Sequence, residues 1–269
     1  MSARGAAVPC GLVTLALTVC AAACINSPRD AAPRSPTGFL DRATIYQGAT
    51  YRYQVYVPPD YTPDRPWPVI LFLHGAGERG TDGLRPTHTG LAGAIRWHRE
   101  RFPAVVVFPQ VAWPDSFWAG AAETIALQAL DAAAAEFRGD PDRVYLTGLS
   151  MGGFGTWRTA AEQPDRFAAF VVAAGGLPDP LPVGAPAAVP DPHGYVASRV
   201  AHLPAWVFHG GADSATLADA RLIVEALRRL DADVRYTEFA DAGHDESWQR
   251  AYDDPALWQW LFAQRRSRR

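Results

Sequence analysis

The sequence predicts an α/β fold, with a mostly parallel eight-stranded sheet, an antiparallel hairpin at its N-terminal edge and helices on both faces. Three observations predict it. Short, continuously apolar runs recur along the chain, as expected for strands that are covered on both sides. Segments with helical spacing lie between these runs, and such alternation gives parallel strands joined by right-handed crossovers. Two segments that alternate around a Gln-Gly turn precede all of them.

The elements follow from this pattern in chain order. The hairpin is predicted at residues 43–46 and 51–57, on either side of Gln47 and Gly48. Five further strands are predicted at the apolar runs, which are residues 69–73, 104–108, 144–146, 168–173 and 205–208, and a last strand is predicted at residues 234–239. The helices are predicted at residues 90–101, 122–137, 151–162, 215–230 and 255–264. We find no internal repeat, so we expect a single domain over residues 41–269.

The N-terminal segment differs in composition from the rest of the chain. Arg4 precedes an apolar stretch over residues 6–25, which predicts an export signal over residues 1–24 and then a flexible linker over residues 25–40. The stretch Ala-Ala-Ala-Cys at residues 21–24 resembles a bacterial lipoprotein cleavage site, with Cys24 as the lipidated residue. A signal cleaved without lipidation and an uncleaved anchor are the alternatives. We expect an exported protein, secreted or held in the cell envelope, that meets a membrane only through this segment.

Charge and cysteine content exclude several classes of partner. The 269 residues carry a formal net charge of −3, and the arginines form no basic stripe except the C-terminal tail, which argues against a nucleic-acid partner. All three cysteines lie within the first 24 residues, so no disulfide is available to the folded domain. No His-Glu-x-x-His motif or cysteine cluster indicates a metal site.

Ser150 is the first candidate functional residue. The run at residues 144–146 leads into Gly148-Leu149-Ser150-Met151-Gly152, which then opens a helical segment. A serine on so sharp a strand-to-helix turn has a strained backbone and needs small residues two positions before and after it. Gly148 and Gly152 occupy those positions. The turn alone is equally compatible with a β-α connection that carries no chemistry, so other residues must decide.

Two further strand ends supply the partners that a nucleophilic serine needs. Asp213 follows the apolar run at 205–208, and His244 lies in the predicted loop after the last strand. Serine requires an imidazole to accept its proton and a carboxylate to orient that imidazole. Asp245 is an alternative acid, but adjacent side chains face each other poorly, so Asp213 is preferred. His74 and His209 precede glycines at strand ends, where we expect them to brace loops.

The loop at residues 73–80 has two interpretations. In the first, its glycines let a backbone amide of Ala76 or Gly75 join the amide of Met151 in binding an oxyanion. In the second, its literal G-x-G-x-x-G binds a dinucleotide, which requires a helix beginning inside the motif and an acidic residue after the next strand. Instead the loop continues through residues 81–86, and the next strand ends in Phe-Pro-Gln. We therefore expect no cofactor.

Four segments together resemble a known family. These are residues 73–80, 148–157, 164–169 and 243–248, and they are similar to the bacterial "predicted peptidase" branch of the α/β-hydrolases, related to the phospholipase/carboxylesterase, feruloyl-esterase and prolyl-oligopeptidase-like families. The resemblance covers about residues 43–264. It implies an α/β-hydrolase fold, a catalytic triad of Ser150, Asp213 and His244, and cleavage of carboxylic esters through an acyl-enzyme. Where relatives often continue past the acid with Val-Pro, this chain has Ser-Ala-Thr-Leu at residues 214–217.

The expected substrate is a small-molecule or polymer-borne ester. Lids in this fold usually follow the sixth strand, where residues 177–203 are rich in Pro, Ala and Gly. We expect this segment to bury little surface, and therefore expect no large lid and an open cleft. Gly75, Trp118 and Trp248 are candidate substrate contacts, with ordinary packing as the alternative for each aromatic side chain. A serine peptidase for short peptides and a non-catalytic envelope protein on the same scaffold are the alternative functions.

Overall fold

A computed structural model of the chain describes residues 35–112 and 117–266. Its strands are β1 (Gly38–Tyr46), β2 (Ala49–Val57), β3 (Trp67–Leu73), β4 (Val105–Phe108), β5 (Gly139–Leu149), β6 (Ala169–Ala173), β7 (Ala205–Gly210) and β8 (Val234–Phe239). Its helices are α1 (Leu91–Trp97), α2 (Ala121–Glu136), α3 (Met151–Glu162), α4 (Pro192–Val200), α5 (Leu217–Arg229), α6 (His244–Asp253) and α7 (Pro255–Ala263). Short 3₁₀ turns lie at Ala76–Glu78, Arg85–Thr87 and Arg99–Arg101.

The strands form one sheet in the order β1-β2-β4-β3-β5-β6-β7-β8. In this order, the six strands from β4 to β8 run parallel to one another. β2 is antiparallel to both β1 and β4. The turn between β1 and β2 has positive φ at Gln47 (49°) and Gly48 (80°), as a two-residue type I′ hairpin requires. The predicted eight-stranded, mostly parallel sheet with an N-terminal hairpin is confirmed.

Helices cover both faces of the sheet. The buried side chains of α2, α3, α4 and α5 pack with one face, around Trp157 and Phe170. Those of α1, α6 and α7 pack with the other, around Phe72 and Trp258. Burial on both faces explains why the central strands are continuously apolar, and residues Ser35–Arg269 form one compact unit. None of the helices in the described residues is long and apolar enough to cross a bilayer.

The start of the domain differs from the prediction. β1 begins at Gly38, so the last three residues of the predicted linker (25–40) belong to the sheet. They pair with the end of β2, where Phe39 lies opposite Tyr56 with its ring centroid 5.3 Å from the tyrosine ring. The predicted export signal at residues 1–24, including Cys24, lies outside the described residues and stays a prediction.

Two helices were not predicted. α4 lies within residues 177–203, which we expected to bury little surface; that expectation is wrong, because Asp191 caps the helix and Val196, Ala197 and Val200 are buried. α6 occupies the predicted loop after β8, where Trp248, Ala251 and Tyr252 form its buried stripe. α4 is the one helix in the β6–β7 connection, so that connection holds no large lid.

Candidate active site

Ser150 lies at the sharp turn between β5 and α3. Its backbone has φ 52° and ψ −119°, a left-handed conformation that costs a non-glycine residue on the order of 1–3 kcal/mol. The surrounding backbone holds it there: its amide donates to the Ala173 carbonyl (3.0 Å), and its carbonyl accepts from the Gly153 amide (2.8 Å). The turn therefore displays the hydroxyl at the carboxyl end of the sheet.

The two flanking glycines are sterically required. A Cβ on Gly152 would overlap the carbonyl oxygen of Leu73, at the end of the neighbouring strand β3. A Cβ on Gly148 would overlap the carbonyl oxygen of Gly152 itself. Any side chain at either position would push the turn away from the sheet, which is the physical reason for the Gly-x-Ser-x-Gly pattern.

Ser150, His244 and Asp213 are joined by hydrogen bonds. The Ser150 Oγ lies 2.8 Å from the Nε2 of His244, and the Nδ1 of the same ring lies 2.6 Å from the Oδ2 of Asp213. These groups come from three chain segments, after β5, β7 and β8. His244 is the first residue of α6 rather than a loop residue, and its side chain is 38% exposed. The imidazole is thus partly exposed to solvent while both of its nitrogens are held by hydrogen bonds.

The Asp213 carboxyl is buried, with its side chain 5% exposed. Burial raises the pKa of this carboxyl, but the hydrogen bond and charge of His244 do most to outweigh burial, so the net pKa is lowered. Its Oδ1 accepts from the Ala215 amide at 3.3 Å. The acid is therefore ionised at neutral pH and oriented by its own loop. Asp245, the alternative acid, is hydrogen-bonded through Oδ1 to the Trp248 indole at 3.4 Å.

Two buried histidines brace the loops beside the site. His74 Nε2 accepts from the Val111 amide (3.0 Å), and its Nδ1 lies 2.6 Å from the Gly75 carbonyl. Burial lowers the pKa of His74 to about 4, so it is neutral. His209 Nδ1 lies 3.1 Å from the Gly210 carbonyl, and its Nε2 lies 2.9 Å from the Thr216 hydroxyl. The links from His209 and Thr216 toward Asp213 were not predicted.

The loop after β3 reaches the nucleophile. A Cβ on Gly75 would lie 3.6 Å from the Ser150 Cβ and 2.8 Å from a Leu149 methyl group, so the backbone at Gly75 lies directly beside the nucleophile. Within the described segments, the amides of Ala76 and Met151 donate no hydrogen bond to another protein group. Both amides begin a helical turn, where N–H groups have no intrahelical acceptor and can bind an anion.

Glu78 is a charged group beside the nucleophile that the sequence did not single out. A Cβ built on Gly75 would lie 3.1 Å from the Glu78 Oε2 and 3.6 Å from the Ser150 Cβ, so Gly75 lies between the carboxyl group and the nucleophile. Burial raises the pKa of the Glu78 carboxyl and the nearby Asp245 raises it further, against the lowering effect of the backbone amides of Glu78 and Gly75. In the sequence Glu78 looks like an ordinary polar loop residue.

The two candidate aromatic contacts have different environments. Trp118 is 2% exposed; its indole donates to the His74 carbonyl (3.0 Å), and its side chain packs against Gly155. Trp118 is therefore packed in the core, and the substrate contact expected of it stays a prediction. Trp248 lies one turn after His244 on α6, 8% exposed, and lines a groove of about 420 Å³ with the exposed Trp97.

Across the described residues, no group of three or more His, Cys, Asp or Glu side chains is arranged to hold a metal ion.

Comparison with known proteins gives consistent matches. A family model described as "Putative esterase" matches residues 46–269. The chain is 30% identical over 168 residues to putative esterase NocK of Nocardia uniformis subsp. tsuyamanensis, covering 57% of this chain and 46% of that protein. It is 33% identical over 133 residues to bifunctional acetylxylan esterase/xylanase XynS20E of Neocallimastix patriciarum, covering 48% and 18%. The chain spans less than half the length of these curated relatives.

Solved structures share the fold. The crystal structure of a thermostable esterase matches with TM-score 0.69 and 29% identity, over 85% of this chain and 63% of that chain. A ferulic acid esterase matches with TM-score 0.63 and 18% identity, over 84% and 98%. S-formylglutathione hydrolase from Staphylococcus aureus matches with TM-score 0.62 and 20% identity, over 85% and 100%. The last two show likeness of fold alone.

Proposed function

The chain belongs to the "Putative esterase" family, and from this premise we propose that it is a serine hydrolase that cleaves carboxylic esters through an acyl-enzyme intermediate. One observation carries the proposal: the hydroxyl of Ser150, the imidazole of His244 and the carboxylate of Asp213 are hydrogen-bonded in series, at 2.8 and 2.6 Å. A buried, ionised acid that orients an imidazole, which in turn contacts a hydroxyl on a strained turn, is the arrangement that activates serine for attack.

Acylation follows from the positions of these groups. The Ser150 Oγ attacks the ester carbonyl carbon while His244 Nε2 accepts the hydroxyl proton, and Asp213 stabilises the imidazolium that forms. The negative charge on the former carbonyl oxygen is held by the amides of Met151 and Ala76, each donor contributing about 3 kcal/mol of transition-state stabilisation. As the tetrahedral intermediate collapses, the C–O bond to the alcohol breaks and His244 returns the proton to the leaving oxygen.

Deacylation uses the same groups in reverse. Water reaches the exposed edge of His244, which accepts one proton as the oxygen attacks the acyl carbon. The second tetrahedral intermediate then releases the carboxylic acid, and the proton on His244 returns to Ser150 Oγ. No cofactor takes part in either step, since every proton and electron pair is supplied by the ester, the water and the triad.

The proposed substrates are small-molecule or polymer-borne esters. The half-open imidazole and the absence of a large lid between β6 and β7 support access for an ester that projects from a larger molecule. The names of the similar proteins point the same way, because one is an acetylxylan esterase/xylanase and another a ferulic acid esterase. Both act, by name, on acyl groups carried by other molecules.

Replacing Ser150 with alanine tests the proposal. We expect hydrolysis of p-nitrophenyl acetate and butyrate to fall by roughly 10⁴-fold or more, because the nucleophile is lost. The matched control is Ser198→Ala, on the exposed side of α4, where the hydroxyl only donates to the Tyr195 carbonyl at 2.8 Å. Ser198→Ala should keep wild-type activity, and both variants should keep the wild-type melting temperature. Wild-type turnover in Ser150→Ala would end the proposal.

A further inference from the structure

Three polar groups converge on a single oxygen of the acid. The Oδ2 of Asp213 lies 2.6 Å from His244 Nδ1, 3.2 Å from the Thr216 hydroxyl oxygen and 3.8 Å from His209 Nε2. The Thr216 oxygen also lies 2.9 Å from His209 Nε2. His209 is fully buried and Asp213 nearly so. The hydroxyl has one proton and two acceptors within reach, so only one of them receives it.

The position of the ring proton on His209 determines which acceptor receives the proton of the Thr216 hydroxyl. The Nδ1 of His209 faces the Gly210 carbonyl oxygen, which can only accept, so the ring proton sits on Nδ1. Burial lowers the pKa of His209, so the ring is neutral and has no second proton. Its Nε2 is therefore an acceptor, and the Thr216 hydroxyl donates to it.

His74 has the same arrangement, and its hydrogen-bond partners allow only one tautomer. Its Nε2 faces the Val111 amide, which can only donate, so the proton of this ring must sit on Nδ1, facing the carbonyl of the following glycine. His74-Gly75 follows β3 and His209-Gly210 ends β7, so the two His-Gly pairs occupy equivalent places in the sheet. The common geometry supports the same tautomer for both rings.

We propose that His209 is a positioning residue for the acid: it holds the Thr216 hydroxyl proton away from Oδ2 of Asp213 and so reserves that oxygen for His244. The inference rests on the proposed function and deepens it. A carboxylate oxygen that accepts a second hydrogen bond spreads its negative charge over two donors and stabilises the imidazolium less. With His209 in place, the full charge of Oδ2 faces the Nδ1 of His244.

The consequence is visible in the pH dependence of activity. The titratable groups that face His209 are Asp213, His244 and Glu238, and the last is held by two hydrogen bonds from Arg221. In His209→Phe the Thr216 hydroxyl is released and turns to Asp213. The carboxylate then stabilises the imidazolium of the triad less, so the acidic limb of kcat/KM should move down by about half a pH unit or more. The plateau of kcat should fall several-fold, because a weaker base accepts the Ser150 proton less readily.

A second substitution isolates the hydroxyl. In His209→Phe/Thr216→Val no hydroxyl remains to donate, so the acidic limb should return to its wild-type position. Thr216→Val alone should also leave the limb in place, while His209→Phe/Thr216→Ser should keep the shift. A purely structural role for His209 would give the same limb in all three variants that lack His209. If His209→Phe does not fold, His209→Asn serves instead, because its amide can still donate to the Gly210 carbonyl while freeing Thr216.

The outcomes separate this inference from the proposed function. Capture of wild-type Ser150 by a fluorophosphonate, and its loss in Ser150→Ala, concern the nucleophile and do not depend on His209. A downward shift in His209→Phe that disappears in the double variant supports the inference. An unshifted limb in a folded, active His209→Phe, or a shift that persists in the double variant, overturns it. A wild-type protein without ester hydrolysis overturns both.

Discussion

The backbone of Ser150 has a strained conformation that places its hydroxyl at the candidate site. Its positive φ is imposed by the hydrogen bonds at the turn and by two glycines that leave room for the neighbouring strand. The hydroxyl can then stand clear of the sheet while the amide of Met151 opens a helix beneath it. Strain of this kind persists only where the surrounding structure over-determines the conformation. The packing around Gly148 and Gly152 is therefore as necessary to the site as the polar groups are.

Substituting Gly152 with alanine tests this requirement. The new Cβ would overlap the Leu73 carbonyl, so we expect the free energy of unfolding to fall by about 3 kcal/mol or more, and activity to be lost. Gly93 in α1 is the matched control, because a Cβ there meets nothing within 4 Å. Gly93→Ala should stabilise the fold by about 0.5–1 kcal/mol through helix propensity. Denaturant titrations of both variants measure the difference, and equal stabilities would contradict the argument.

The sequence predicts which residues the site contains better than how they are connected. Ser150, Asp213 and His244 follow from a turn motif and from the rule that strand ends meet at one edge of a parallel sheet. The hydrogen bonds of His209 and Thr216 depend on side-chain rotamers within one loop, which no periodic pattern encodes. The core packing of Trp118 is not predictable from the sequence for a similar reason, because an aromatic residue after a strand can turn into the core as readily as toward a ligand.

At the scale of elements, a buried ionic cluster ties the segment after β6 to the helices beneath it. Arg158 on α3 donates to the carbonyls of Pro180 and Leu181, at 2.6 and 2.7 Å. Its guanidinium also meets the carboxylates of Glu162 (2.6 Å) and Glu123 on α2 (3.5 Å), and all three side chains are at most 12% exposed. Burial raises the pKa of Glu123, and the neighbouring Glu162 raises it further. The single guanidinium of Arg158 thus lies within ion-pair distance of two buried carboxyl groups.

This cluster predicts how stability changes with pH. The folded state holds the Glu123 proton to higher pH than the unfolded chain, where a glutamate loses it near pKa about 4.3. Above that pH the folded state therefore binds more protons than the unfolded chain does. The contribution of Glu123 to the free energy of unfolding consequently decreases toward alkaline pH. Glu123→Gln cannot titrate, and its free energy of unfolding should fall less than that of the wild type between pH 5 and pH 8.

Urea titrations at several pH values measure the effect. Glu225→Gln is the matched control, because Glu225 forms an exposed ion pair with Arg229 on α5 and its side chain is 63% exposed. This control should follow the wild-type pH dependence. A Glu123→Gln variant that loses stability with pH as steeply as the wild type would show that Glu123 does not carry the excess proton.

Elements with a strong periodic signal were predictable, and the others were not. β8 and α3 have the predicted bounds because residues 234–239 are rich in β-branched and aromatic side chains and because a motif opens α3. α6 was missed because its first turn is wholly polar and its buried stripe is short. α4 was missed because its segment is rich in proline and glycine, and only Asp191 and Pro192 mark its start.

At the scale of the whole molecule, the sheet is what assembles the site. Ser150 and His244 are 94 positions apart in the chain, and Asp213 is 31 positions before His244. The parallel order β5-β6-β7-β8 brings the ends of their strands to one edge, and helices on both faces hold that order. The alternating pattern predicts the layers, but which helix covers which face depends on connections that the sequence leaves open. The site therefore exists only in the folded sheet.

Mass-spectrometric mapping of the fluorophosphonate adduct tests the central claim most directly. The wild-type protein should acquire one covalent phosphonyl group, on the peptide that contains Ser150, because only an activated serine displaces the fluoride. Ser150→Ala should stay unmodified, and His244→Ala should react far more slowly. An adduct on a different serine, or a folded protein that stays unmodified under conditions that label a known serine esterase, would contradict the assignment of Ser150, His244 and Asp213 as the catalytic centre.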